Sequence, residues 1–254
     1  MNDNASKLKG LLWVIASCLI GVLFAFGLAP LAHVIPWSWE KNLGYALEFN
    51  VLNQECHANA QSEALLQRLV KRLYPIQPED AAFSIEVRVV KNAEINAYAS
   101  LGGKIFINSG LLKQAESPEE IAGVLAHEIT HVQHRHIMEG AINHILTSEG
   151  LKAIFGVNSS AAEWTQYFLK MDFTKSQETQ ADEGGLKRLQ QAHIDNQGFK
   201  HFFERMENSG FAADFLSDHP SNDARIAMVK QFTNQNVQPI MTQDEWKMLK
   251  NACY

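Results

Sequence analysis

The stretch Val124–His136, VLAHEITHVQHRH, places the tightest constraint on what this chain can become. Ile121, Val124, Leu125 and Ile129 are apolar at helical spacing, which predicts a largely buried helix, yet His127, Glu128 and His131 lie within it. Buried imidazoles and carboxylates need partners, because an unsatisfied polar group costs roughly 2–7 kcal/mol. Residues four apart on a helix share a face, rotated by about 40° and separated by roughly 6 Å. His127 and His131 can therefore aim ring nitrogens at one ion, and Glu128 lies beside them. This is the H-E-x-x-H pattern, in which Zn²⁺ lowers the pKa of its water and the glutamate takes the proton. We read it as a metal site in preference to a pair of satisfied core histidines. His134 sits on nearly the same face one turn further along, and His136 points to the opposite side; both are read as supporting or surface histidines.

A catalytic zinc has three protein ligands and an open position, so a third ligand must come from elsewhere. The extended motif with a third histidine would need a glycine at 134 and a histidine at 137, where this chain has His134 and Ile137. Another known placement, a glutamate separated from the second histidine by eighteen residues, falls on Gly150, and Glu149 misses it by one position, about 100° of helix rotation. The remaining candidate is KSQETQAD, Lys175–Asp182, in which Glu178 and Asp182 share one helical face. Glu178 would ligate while Asp182 accepts from a ligand histidine's other N–H. The bland alternative is a solvated acidic face, but the small Ala181, Gly184 and Gly185 alongside point to close helix packing.

Around these motifs the pattern predicts a helix over 58–73 and a strand over 83–90. Two more strands, 95–99 and 104–108, are joined by a turn at Leu101-Gly102-Gly103. Ser117-Pro118-Glu119-Glu120 opens the histidine helix with a cap, a first-turn proline and acid. Helices are expected over 140–155, 161–173, 176–191, 198–208, 222–232 and 244–250. The fold class is therefore α+β and mostly helical, a small early sheet packed on a central zinc-binding helix.

Residues 11–29, LLWVIASCLIGVLFAFGLA, carry no charge over nineteen positions, close to the roughly 20 residues that cross a bilayer. One N-terminal transmembrane helix is expected, its apolar run exceeding the 7–15 residues typical of a cleaved signal. The division we expect is an N-terminal flank at 1–10, an anchor at 11–35, a linker and domain entry at 36–57, and a metallopeptidase domain at 58–254. Lys7 and Lys9 against Asp3 favour a cytoplasmic N-terminus and an extracytoplasmic domain. Cys56 and Cys253 flank the soluble part and are either a disulfide suited to an oxidising compartment or two buried thiols. The acidic balance, 28 Asp and Glu against 22 Lys and Arg, excludes nucleic acid as an expected partner.

Four stretches in order, INAYASLGGKIFINSGLL, EIAGVLAHEITHVQHRH, KSQETQADEGG and SDHPSNDAR, resemble the zinc metalloendopeptidase family that includes the CAAX prenyl protease and HtpX. The resemblance implies His127, His131 and Glu178 as zinc ligands, Glu128 as general base and Asp182 as the residue orienting a ligand. It further implies that Asn96, Ala97 and Tyr98 form an edge strand for substrate. His219, with Pro220, would lie at the cleft, stabilising the oxyanion or latching the zinc, with Arg225 helping to hold that segment. Arg225 as a plain structural ion-pair residue is the other reading. A single apolar stretch, where the prenyl protease and HtpX have several, points to a tethered protease of a bacterial-type inner membrane. The expected activity is cleavage of unfolded or misassembled envelope polypeptides with one zinc per chain. The rival is a latched module that binds extended polypeptides without cutting them.

Overall fold

The computed structural model describes residues 28–47, 60–75, 84–145, 171–209, 222–232 and 236–253, together with positions 10, 11, 13, 14, 17, 56, 167 and 168. Most of the apolar stretch 11–29 lies outside the described residues, and so do His219 and Pro220. Among the described residues no helix is long and apolar enough to cross a membrane.

A 3-10 segment, Ala29–Val34, leads into helix α1, Trp37–Leu47, within the region read as linker. Glu40 of α1 is buried; it accepts from Arg135 Nε (3.1 Å) and from a terminal guanidinium nitrogen (2.8 Å), and from the Gly102 amide (3.2 Å). Gly44 is required by close approach, since a Cβ there would stand 2.5 Å from the Leu101 carbonyl oxygen. Helix α2, Ala60–Leu73, buries Leu65, Leu66, Leu69, Val70 and Leu73, the i, i+3, i+4 stripe of an amphipathic helix.

The sheet has three strands, β1 (Glu86–Val90), β2 (Ala97–Ser100) and β3 (Lys104–Asn108), in the order β1-β3-β2. β3 is central and buried throughout, parallel to β1 and antiparallel to β2. The β2–β3 turn needs glycine, with φ of 78° at Gly102 and 84° at Gly103. β2 stands at the margin of the sheet, with Ala97 and Ala99 buried and Tyr98 half-buried against Phe106.

Helix α3, Ser109–Gln114, follows β3 directly, and α4, Pro118–Gln133, is the centre of the domain. Ser117 caps α4 by accepting from the Glu120 amide. Residues 120–132 of α4 are all buried, so this helix is enclosed on every side. The chain breaks at Arg135, whose φ is 60°, and restarts as α5, His136–Ile145.

Helix α6, Lys175–Gln191, begins with a reciprocal capping box between Thr174 and Gln177. It packs on α4 through Gly184, where a Cβ would stand 2.4 Å from Thr130 Cγ2, and Gly185, where it would stand 3.1 Å from the His127 amide nitrogen. Helix α7, Gln197–Ser209, buries Phe199, Phe202 and Phe203; α8, Asn222–Val229, contributes Arg225; and α9, Gln243–Lys250, returns to α2 through an Arg68–Glu245 ion pair (2.9 Å). Cys56 and Cys253 form a disulfide with Cα atoms 5.1 Å apart. The Cys56 amide also donates to Val89 of β1. Among the described residues the architecture is thus mostly helical with one small sheet.

Candidate metal centre

Four elements meet at one buried point. α4 supplies His127 and His131, α6 supplies Glu178 and Asp182, α8 supplies Arg225 and α5 supplies His136. The two Nε2 atoms of His127 and His131 are 3.0 Å apart. Glu178 closes the triangle, Oε1 lying 3.3 Å from His131 Nε2 and Oε2 3.7 Å from His127 Nε2. One ligand atom from each of these three residues can be chosen so that all lie within 4.8 Å of one another.

These separations fit a cation. Bonds of about 2.0–2.1 Å in tetrahedral directions hold ligand atoms roughly 3.3 Å apart. The proton positions fit as well. His127 Nδ1 lies 2.9 Å from Asp182 Oδ1, so the ring donates there and leaves the Nε2 lone pair facing inward. Two inward lone pairs and a carboxylate form the donor set of a divalent metal.

Arg225 is 1% exposed and supports both acids. Its Nε donates to Asp182 Oδ2 at 2.7 Å, and a terminal nitrogen donates to Glu178 Oε2. Its guanidinium also lies 4.7 Å over the Phe203 ring, so α7 backs the cation with an aromatic face. Glu128 is fully buried, one position after His127 on α4.

Two features escape helical periodicity. His136 does not point away from the site: its Nδ1 lies 3.0 Å from His131 Nδ1 and its Nε2 lies 3.2 Å from Gln180 Oε1. The left-handed turn at Arg135 ends α4 and swings the next residue back, where an unbroken helix would have carried it about 140° round from His131. Burial pushes the His136 imidazolium down to about 4, so the ring is neutral at neutral pH. Gln180 is the second feature, also meeting His134 Nδ1 at 3.3 Å. The only local sign of either was the richness of histidine beyond His131. Phe173 stacks on His131 with ring centroids 4.0 Å apart. His134, His136, Phe173 and Gln180 form part of the wall of a cavity of about 560 Å³.

Of the residues named from sequence, His127, His131, Glu178, Asp182 and Arg225 converge, with Glu128 adjacent in the same helix. Ala97 and Tyr98 lie in β2, a marginal strand of the sheet that packs against α4, with Asn96 just before it; burial raises the Tyr98 hydroxyl pKa. His219 lies outside the described residues.

Comparison with known proteins supplies a further finding. The pattern described as peptidase family M48 matches residues 59–233. The beta-barrel assembly-enhancing protease of Escherichia coli strain K12 is 29% identical over 178 residues, 61% of this chain and 35% of the relative. The mitochondrial metalloendopeptidase OMA1 of Schizosaccharomyces pombe is 27% identical over 202 residues, 73% of this chain and 58% of the relative. The same-named protein of Saccharomyces cerevisiae is 33% identical over 154 residues, 56% of this chain and 45% of the relative. The chain thus spans between about a third and three-fifths of these relatives.

Proposed function

Because the chain belongs to peptidase family M48, we propose that it is a zinc-dependent metalloendopeptidase acting on unfolded or misassembled envelope proteins, held at a membrane by residues 11–35. The observation that carries this reading is the convergence of two imidazole Nε2 atoms and the Glu178 carboxylate at separations of 3.0–3.7 Å.

His127, His131 and Glu178 would hold the zinc, which when bound supplies Lewis-acid polarisation of the scissile carbonyl and a water of lowered pKa. Glu128 takes a proton from the attacking water and returns it to the leaving amine. Asp182 keeps His127 in the tautomer that presents Nε2, and Arg225 holds Asp182 and Glu178 in place against their mutual repulsion. Asn96, Ala97 and Tyr98, at the sheet margin, align an extended substrate by backbone pairing. His219 donates to the oxyanion or latches the site at rest.

The substrate class is supported by the names of two relatives, one a beta-barrel assembly-enhancing protease and one a mitochondrial metalloendopeptidase. A membrane tether is supported by the nineteen uncharged residues at 11–29. One observation favours the latched, non-cleaving alternative: His127, His131 and Glu178 are each 2% exposed or less.

Zinc content together with casein cleavage, in the wild-type chain and in Glu128→Gln, separates the two readings. Zinc in both with cleavage in the wild type alone supports the peptidase. Zinc in both with cleavage in neither supports the latched module, and absence of zinc from both removes the metal site.

A further inference from the structure

We propose that His136 is a positioning residue for the metal ligand His131, acting through a His–His–Gln relay that matches the Asp182 support of His127. This inference rests on the metal reading of the site and concerns which atoms carry protons there.

The direction of the relay follows from geometry. His131 Nε2 faces His127 Nε2 at 3.0 Å and Glu178 Oε1 at 3.3 Å, so it is the metal-facing nitrogen. A neutral imidazole that offers Nε2 as a ligand carries its proton on Nδ1. That proton points to His136 Nδ1, 3.0 Å away, which must therefore accept. His136 in turn carries its proton on Nε2 and donates to Gln180 Oε1 at 3.2 Å. The amide oxygen ends the relay, also accepting from His134 Nδ1 at 3.3 Å, while the Gln180 amide nitrogen faces Ser176 Oγ at 3.4 Å. Each tautomer is determined by its predecessor.

The backbone is built for this contact. The left-handed conformation at Arg135 is what returns His136 to His131, and Arg135 is held there by Glu40 and by its stacking at 4.3 Å on Trp37. Phe173 covers the His131 ring, leaving its edge nitrogens for the metal and for His136. Glu178, Gln180 and Asp182 lie on one helix, so α6 carries one ligand and the anchors of both histidines.

A neutral acceptor suits this position electrostatically. Glu128, Glu178 and Asp182 already place three carboxylates in a buried space with Arg225 beside two of them. An imidazole orients His131 without adding a fourth negative charge.

The test is made on the whole chain loaded with zinc. Long-range ¹⁵N–¹H correlation of the histidine rings reads the tautomers directly. The expected result is His131 protonated on Nδ1 and His136 on Nε2; a His136 protonated on Nδ1 overturns the proposal. Chelator competition then measures zinc affinity. His136→Phe is expected to weaken it about 10–100-fold. His136→Asn, which restores an acceptor near the lost nitrogen, is expected to recover most of the loss, and the exposed end of the relay is probed by Gln180→Leu, with a smaller loss. Wild-type affinity in both His136→Phe and Gln180→Leu overturns the relay while leaving the metal reading intact. If His136→Phe does not fold, Gln180→Leu and the wild-type tautomers decide. A wild-type chain that takes up no zinc removes both readings together.

Discussion

Arg225 donates from Nε to Asp182 Oδ2 over 2.7 Å, spanning 43 positions of sequence to fix the carboxylate that itself holds His127. A second nitrogen of the same guanidinium reaches Glu178. Removing one partner of a buried charge cluster costs about 3–5 kcal/mol, because the charges left behind lose their compensation. Arg225→Met is therefore expected to lower the unfolding free energy of the metal-free protein, read from urea titration, by that amount. Added zinc should recover part of it through mass action on the folded state. A midpoint equal to wild type would show that the acids do not depend on Arg225.

Gly184 lets α6 pack closely on Thr130 of α4. A Cβ there would meet Thr130 Cγ2 at 2.4 Å, closer than packed atoms tolerate. Gly184→Ala should destabilise by about 1–3 kcal/mol, the usual range for overpacking. Thr130 also accepts from Arg188 Nε at 3.2 Å and donates to the Ala126 carbonyl at 2.9 Å, so Thr130→Ala carries its own loss. The double variant should be more stable than the sum of the two losses implies. Simple additivity in that cycle would contradict the contact.

The disulfide between Cys56 and Cys253 closes a loop with a sequence separation of 197. Chain entropy alone gives about 5 kcal/mol for so long a loop, and native disulfides commonly deliver about 2–4 kcal/mol. Cys56→Ala with Cys253→Ala should lower stability within that range. Wild-type protein unfolded in reductant should behave like the double variant, and insensitivity to reductant would count against the bond.

Glu245 is pushed down to about 2, mainly by its hydrogen bond from Arg68 and then by the Thr242 amide. Its folded pKa is below its unfolded one, so the stabilisation is present above the ordinary carboxylate range and is lost as pH falls through about 2. Glu245→Gln should lower the melting temperature at pH 6 and have progressively less effect as the pH approaches 2. Melting curves at both values decide it, and an effect of equal size at each would show that charge is not involved.

Much of the site was legible because it is local or periodic. The i, i+4 spacing paired His127 with His131 and Glu178 with Asp182, and the Ser117-Pro118 cap located the start of α4 to the residue. The strands shift slightly from expectation, with β1 beginning at Glu86 and β2 extending to Ser100. The departures have one physical origin, which is that periodicity assumes an unbroken helix. One left-handed residue, Arg135, reversed the facing of His136. Helix α1 was hidden because its docking uses Glu40 meeting Arg135, a contact 95 positions away that no local pattern encodes. Arg225 is named through the resemblance carried by SDHPSNDAR, as a residue holding the His219 segment or a structural ion-pair residue, and its partners Asp182 and Glu178 come to it through tertiary packing of α8 on α6.

The bond between Cys56 and Cys253 has a meaning beyond stability. It makes residues 56–253 a covalent circle. A single backbone cut anywhere inside, made by a protease, opens the circle without releasing a fragment. The nicked chain migrates as one species until its sulfurs are reduced, and its two pieces remain at the effective concentration of a single molecule, with the helices still able to pack.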